Sequence, residues 1–217
     1  MKDFDAVVFD MDGLIFDSER AGYECWKEVL ASYGFREIDE LYHACIGCSR
    51  VRTERVVREA LGEDFPFDEF YRKVFEIYGA RYGGGKMPIK TGAREILIRL
   101  KEKGKMTALA SSSDRETVLG LLGAAGLLEY FDRIVTGDMV TRSKPEPDIF
   151  LAACELLGTA PERTYAMEDS FNGIRAAHAG GLRPVMVPDM LPADEEMKTL
   201  AETVEPDLFA AAAWLGV

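Results

Sequence analysis

Two carboxylates end the first apolar run of the chain, which passes from Asp5-Ala6-Val7-Val8-Phe9 directly into Asp10-Met11-Asp12-Gly13. Side chains of an extended backbone alternate with a period of two, so Asp10 and Asp12 point the same way and repel each other. Both stay ionised only beside a cation, and a site built of oxygen ligands favours a hard ion such as Mg²⁺. Later apolar runs deliver polar groups at the same kind of position. Ser111-Ser112-Ser113 follows residues 106–110, Lys144 lies beyond the run 133–136, and Glu168-Asp169-Ser170 follows residues 164–167. Singly, each has an ordinary explanation as a turn, a helix cap or a solvated charge. Together they bring carboxylates, a cation site, a hydroxyl donor and a lysine to one rim. Phosphoryl transfer needs that set, because it is governed by positioning and by neutralising phosphoryl oxygens.

These groups share a rim only if the runs before them are strands of one sheet. The runs 5–9, 106–110, 133–136, 164–167 and 184–187 are short and apolar, as strands buried on both faces of a parallel sheet must be. Helical stripes at 94–103, 116–122, 148–157 and 171–179 separate the later ones, with Pro147 at the first turn of the third. Strand and helix alternating in this way predict an α/β fold, a doubly wound, Rossmann-like, mainly parallel sheet. Between residues 18 and 87 the periodicity is helical instead, at 20–33, 38–45, 50–61 and 67–82, and ends in Gly83-Gly84-Gly85. The expectation is an all-helical cap domain, 18–87, inserted into a core domain formed by 1–17 and 88–217. A cap placed there would cover the carboxyl edge of the sheet, where open α/β folds bind their ligands.

Composition sets the wider bounds. A chain of 217 residues with 47% hydrophobic and 29% charged residues is that of a globular protein with a sizeable core. Twenty-six basic against 38 acidic residues give a net charge of −12, which offers no general attraction to nucleic acid or to an anionic membrane. Four cysteines are sparse for this length and fit a reducing compartment. Neither a signal-peptide pattern nor a membrane-length apolar run is visible, so the expected setting is the cytoplasm, as a monomer or weak homodimer. Gly83-Gly84-Gly85-Lys86 is no phosphate loop, since Ala80 stands where its first glycine belongs and Met87 where Ser or Thr belongs. Cys45-Ile46-Gly47-Cys48 with His43 lacks the second cluster a structural zinc needs.

Asp10-Met11-Asp12-Gly13-Leu14-Ile15-Phe16-Asp17-Ser18 resembles the first motif of the haloacid dehalogenase superfamily in its phosphatase form. Ser111 matches the second motif, Lys144 in Ser143-Lys144-Pro145-Glu146-Pro147-Asp148 the third, and Glu168-Asp169-Ser170 with Gly173 the fourth. The resemblance spans essentially the whole chain and points to the β-phosphoglucomutase-like branch, which carries a small helical cap. It implies that Asp10 is the nucleophile, that Asp12 is the general acid/base, and that Ser111 and Lys144 hold the transferring oxygens. It implies Mg²⁺ held by Asp10, the backbone carbonyl of Asp12 and Asp169, with Glu168 helping through water.

Gly47-Cys48-Ser49-Arg50 resembles the specificity loop of that branch, in which an arginine binds a distal phosphate. Gly47 and Arg50 are the substrate contacts this implies, while the backbone N–H groups near Met11 and Ser112 add to the cradle for the transferring oxygens. Mutases of the branch carry a cap histidine where Gly22 falls here. The expected activity is therefore Mg²⁺-dependent hydrolysis of a small phosphorylated metabolite, a sugar or polyol phosphate, through an aspartyl phosphate. The alternatives are a β-phosphoglucomutase-type sugar-phosphate mutase and, outside enzymes, a receiver-like phosphoacceptor signalling domain.

Overall fold

The structure, a computed structural model, describes residues 2–46, 48 and 50–217. In chain order the elements are β1 (Ala6–Phe9), α1 (Ser18–Ser32), α2 (Asp39–Cys45), α3 (Arg50–Leu61), α4 (Phe67–Tyr82), α5 (Ala93–Glu102), β2 (Met106–Ser111) and α6 (Arg115–Ala125). They continue with β3 (Arg133–Thr136), α7 (Asp148–Leu157), β4 (Thr164–Glu168), α8 (Phe171–Ala179), β5 (Arg183–Met186), α9 (Glu195–Leu200), β6 (Thr203–Val204) and α10 (Leu208–Leu215). All strands join one sheet in the order β3-β2-β1-β4-β5-β6, and every neighbouring pair is parallel. This is the expected doubly wound α/β fold.

Two strands run one residue further than their apolar runs predict: Ser111 closes β2 and Glu168 closes β4. Both are wholly buried, so polar residues extend the ladder here because their side chains find partners in the site. The sheet also gains β6, with α9 before it and α10 after it, beyond the elements that the apolar runs and helical stripes predict.

By contact density the chain divides into two compact units, one of Met1–Asp17 with Ile89–Val217 and one of Ser18–Pro88. The second holds α1 to α4 and no strand among its described residues. Its core is aromatic, with Trp26 edge-on to both Tyr42 and Phe70. In the first unit, β1 to β4 present a buried face on which Val8, Ala108, Ala110, Val135 and Ala166 pack against Ile149, Phe150 and Ala153 of α7. Small residues on the strands let a large one on the helix seat itself. Emptying the Phe150 site by substitution to Ala would cost about 3–5 kcal/mol. Among the described residues no helix is long and apolar enough to cross a membrane.

Candidate active site

β1 is the central strand, with β2 hydrogen-bonded on one side and β4 on the other. Phe9 lies level with Leu109 and with Met167, so the next residues along each strand come out at one edge. With strands about 4.8 Å apart, side chains from three neighbours can meet there. The backbone N–H of Asp10 donates to the Met167 carbonyl at 3.0 Å, holding Asp10 in line with β1 beyond its last strand residue.

The chain then turns sharply. Ile15 and Phe16 N–H both donate to the Met11 carbonyl, and Gly13 N–H donates to the carbonyl of Phe16. Gly13 has φ +76°, and a Cβ there would lie 2.2 Å from Asp169 Oδ2, so both the turn and the carboxylate demand glycine.

Asp10, Glu168 and Asp169 are all buried, and each has a carboxylate oxygen within 4.8 Å of the others'. Lys144 reaches in from the loop after β3. Its ammonium donates to Asp10 Oδ1, to the Ala110 carbonyl at 3.1 Å and to Glu168 Oε1 at 2.7 Å, which uses all three of its protons. Beneath it, the Phe150 ring centre is 4.9 Å away. The other oxygen of Glu168 accepts from Ser170 N–H at 2.8 Å and from Ser170 Oγ at 2.9 Å. Ser170 also caps α8 by accepting from Gly173 N–H at 3.1 Å. Glu168 therefore takes one orientation.

Charge balance in this cluster is uneven. Burial pushes the Asp10 carboxyl up to about 8, Glu168 and Asp12 push the same way, and Lys144 opposes them. Burial would lower Lys144, yet the Asp10 and Glu168 carboxylates hold it above its ordinary value and charged. Three buried carboxylates thus crowd together, and the Lys144 ammonium pairs with two of them, Asp10 and Glu168. An all-oxygen donor set with surplus negative charge fits a hard divalent cation.

Ser111 and Ser113 complete this edge. Ser111 Oγ accepts from Ser113 N–H at 3.1 Å, and Ser113 Oγ donates to Asp12 Oδ2 at 3.0 Å. Ser112 lies between them with an exposed side chain. Of the residues expected here, the structure brings together Asp10, Glu168, Asp169 and Lys144, and links Asp12 to the turn that starts at Ser111. Arg50 opens α3 in the helical unit, where its guanidinium pairs with Asp68 at 2.7 Å and lies 5.1 Å from the Tyr71 ring centre. Gly47 lies outside the described residues. No local sequence pattern marks Ser113 or Phe150 as part of a site: Ser113 is the third of a serine run, and Phe150 reads as an ordinary core residue of an amphipathic helix.

Comparison with known proteins adds four likenesses. The family model described as haloacid dehalogenase-like hydrolase matches residues 7–187. The phosphorylated carbohydrates phosphatase of Thermotoga maritima is 33% identical over 181 residues, covering 83% of each chain. Fructose-1-phosphate phosphatase YqaB of Escherichia coli is 29% identical over 83% of this chain and 95% of its own. A crystal structure of a HAD family hydrolase from Deinococcus radiodurans with bound phosphate and sodium superposes with a TM-score of 0.83 at 29% identity, covering 98% of this chain and 96% of that one.

Proposed function

Because the chain belongs to the haloacid dehalogenase-like hydrolase family, we propose that it hydrolyses a small phosphorylated metabolite, a sugar or polyol phosphate, through an aspartyl phosphate formed on Asp10. The chain is a phosphatase. What carries the finer reading is the crowding of three buried carboxylates, two of them paired with Lys144, at the ends of β1 and β4. The names of two relatives, which act on phosphorylated carbohydrates and on fructose 1-phosphate, support the substrate class.

In this reading Asp10 attacks phosphorus and takes the phosphoryl group, which splits one difficult displacement into two easier ones. Asp12 protonates the leaving oxygen and then takes a proton from the water that cleaves the acyl phosphate. Lys144, Ser111 and the backbone N–H near Ser112 hold the phosphoryl oxygens. Asp10, Asp169 and the Asp12 carbonyl would hold Mg²⁺, with Glu168 behind them through water, and the bound ion supplies the positive charge that lets one anion approach another. Arg50, with Gly47 three positions before it in the sequence, is assigned to a second anionic group on the substrate, and Arg50→Ala then raises KM for bisphosphates more than for monophosphates.

Hydrolysis is favoured over a mutase by Gly22. A Cβ at that position would lie 2.6 Å from Tyr42 Oη, and the Tyr42 hydroxyl is itself held by the Glu19 carbonyl at 2.8 Å. A histidine has no room there while Tyr42 stays. The test is a panel of sugar and polyol phosphates, fructose 1-phosphate among them, assayed for phosphate release with Mg²⁺ and with chelator. Release that needs Mg²⁺ and falls at least about 10³-fold in Asp10→Asn is expected. Full activity in chelator, or a nearly active Asp10→Asn, would overturn the mechanism.

A further inference from the structure

We propose that Ser113 is a positioning residue that fixes which oxygen of Asp12 carries the catalytic proton. The inference rests on Asp12 acting as the general acid/base. Its starting observation is the bond from Ser113 Oγ to Asp12 Oδ2 at 3.0 Å, which joins the turn after β2 to the turn after β1 across 101 positions of sequence.

Ser113 is held so firmly that its hydroxyl has a fixed origin. Its N–H donates to Ser111 Oγ at 3.1 Å, and its carbonyl accepts from Gly137 N–H at 2.9 Å, from just beyond β3. Both backbone groups are thereby spent, on β2 and on the segment after β3. A serine in a turn commonly bonds its own neighbourhood. Here the hydroxyl reaches out of its turn to the acid in the turn after the central strand.

The consequence follows from carboxyl chemistry. A carboxylic acid has one oxygen bearing the proton and one that only accepts. While Ser113 donates to Oδ2 that oxygen only accepts, which assigns the catalytic proton to Oδ1 when Asp12 acts as the acid. As Asp10 forms its bond to phosphorus and the ester O–P bond breaks, the electron pair stays on the leaving oxygen and the Oδ1 proton passes to it. Asp12 is left a carboxylate, with Ser113 still donating to Oδ2. The same N–H that anchors Ser113 occupies a lone pair of Ser111, so Ser111 keeps its own proton for a phosphoryl oxygen.

The test uses leaving groups of similar shape and different basicity, phenyl phosphate and p-nitrophenyl phosphate, and compares kcat/KM, which reports the phosphorylation step. Protonation matters most for the more basic phenolate. General acid assistance is worth about 10²–10⁴, and a misdirected acid forfeits part of it, so Ser113→Ala should lose roughly tenfold or more on phenyl phosphate beyond its loss on p-nitrophenyl phosphate. Ser113→Thr keeps the hydroxyl and should restore the ratio. Asp12→Asn is the reference. If it discriminates between the esters and Ser113→Ala does not, the Ser113 role is overturned while Asp12 stands. If Asp12→Asn loses both equally, the general-acid reading fails and takes this inference with it. A general loss of folding in Ser113→Ala would depress both esters alike, and failure of Ser113→Thr to recover the ratio also counts against the proposal.

Discussion

Lys144 Nζ lies 2.7 Å from Glu168 Oε1, and the two side chains are 7% and 0% exposed. So deep an ion pair is costly to leave half made, because removing one partner strands a buried charge. Lys144→Met should therefore lower stability by about 3–5 kcal/mol in addition to abolishing turnover. Urea unfolding measures it, and a loss under about 1 kcal/mol would mean that the carboxylates already share their charge some other way.

Gly173→Ala sets two effects of opposite sign against each other. Alanine inside a helix is favoured over glycine by about 1 kcal/mol. At this position, however, the new Cβ would lie 1.7 Å from Glu168 Oε1. Overpacking typically costs about 1–3 kcal/mol, and here the carboxylate that must move is tied through Oε1 to Lys144 and through Oε2 to Ser170. The variant should be less stable than the parent and need more Mg²⁺ for half-maximal activity. A raised melting temperature would refute the steric argument.

Metal-free protein should lose stability as pH rises from about 6 to 8. The folded Asp10 carboxyl keeps its proton up to about 8, while an unfolded aspartate releases its own near 3.9. Between those values the folded state binds the extra proton, so stability is greatest below the unfolded value and is lost as pH climbs through the folded one, by at most about 1.4 kcal/mol per pH unit. Saturating Mg²⁺ should flatten the slope. Melting curves in chelator and in Mg²⁺ across this range decide it, and identical slopes would contradict the charge imbalance.

Gly22→His should not confer mutase activity. The imidazole must displace Tyr42, whose ring also packs edge-on against Trp26 and Tyr23. Less stable protein that still releases free phosphate from glucose 1-phosphate is the expected result, read by phosphorus NMR. Accumulation of glucose 6-phosphate would reverse the assignment.

Cys45 should resist alkylation. Burial pushes its thiol up to about 11, with Cys48 adding to the shift, which leaves about a thousandth of it as thiolate at pH 8. Mass spectrometry after brief iodoacetamide treatment should find label on the half-exposed Cys48 well before Cys45. Equal labelling would show that the end of α2 opens freely.

Much of this site is legible in sequence because each reactive group follows an apolar run directly, and a parallel sheet turns that adjacency into a common edge. Asp10 and Lys144 need no more than this rule. Ser113 escapes it, since its function depends on a bond to a residue 101 positions away, which no local pattern encodes. The carboxyl-terminal elements escape for another reason. β6 is two residues long, and α10, Leu-Phe-Ala-Ala-Ala-Ala-Trp-Leu, has no polar stripe to give it a period. Their caps were nonetheless written in the chain: Asp194 accepts from Met197 N–H, and Asp207 from Ala210 N–H.

The pairing of Phe16 with Ile89, and of Lys90 N–H with the Ile15 carbonyl, bears on how the chain folds. β1 must find β2 across the whole helical segment, with Ala6 opposite Met106. Closing so long a loop is entropically expensive and slows folding. The segment's two ends leave side by side, however. Once Ser18–Pro88 has condensed it counts as a short link instead of a long one. Shortening the effective loop to roughly a quarter lowers the closure cost by about 1 kcal/mol. The inserted helices thereby bring the two halves of the sheet, and with them Asp10 and Ser111, within reach of each other.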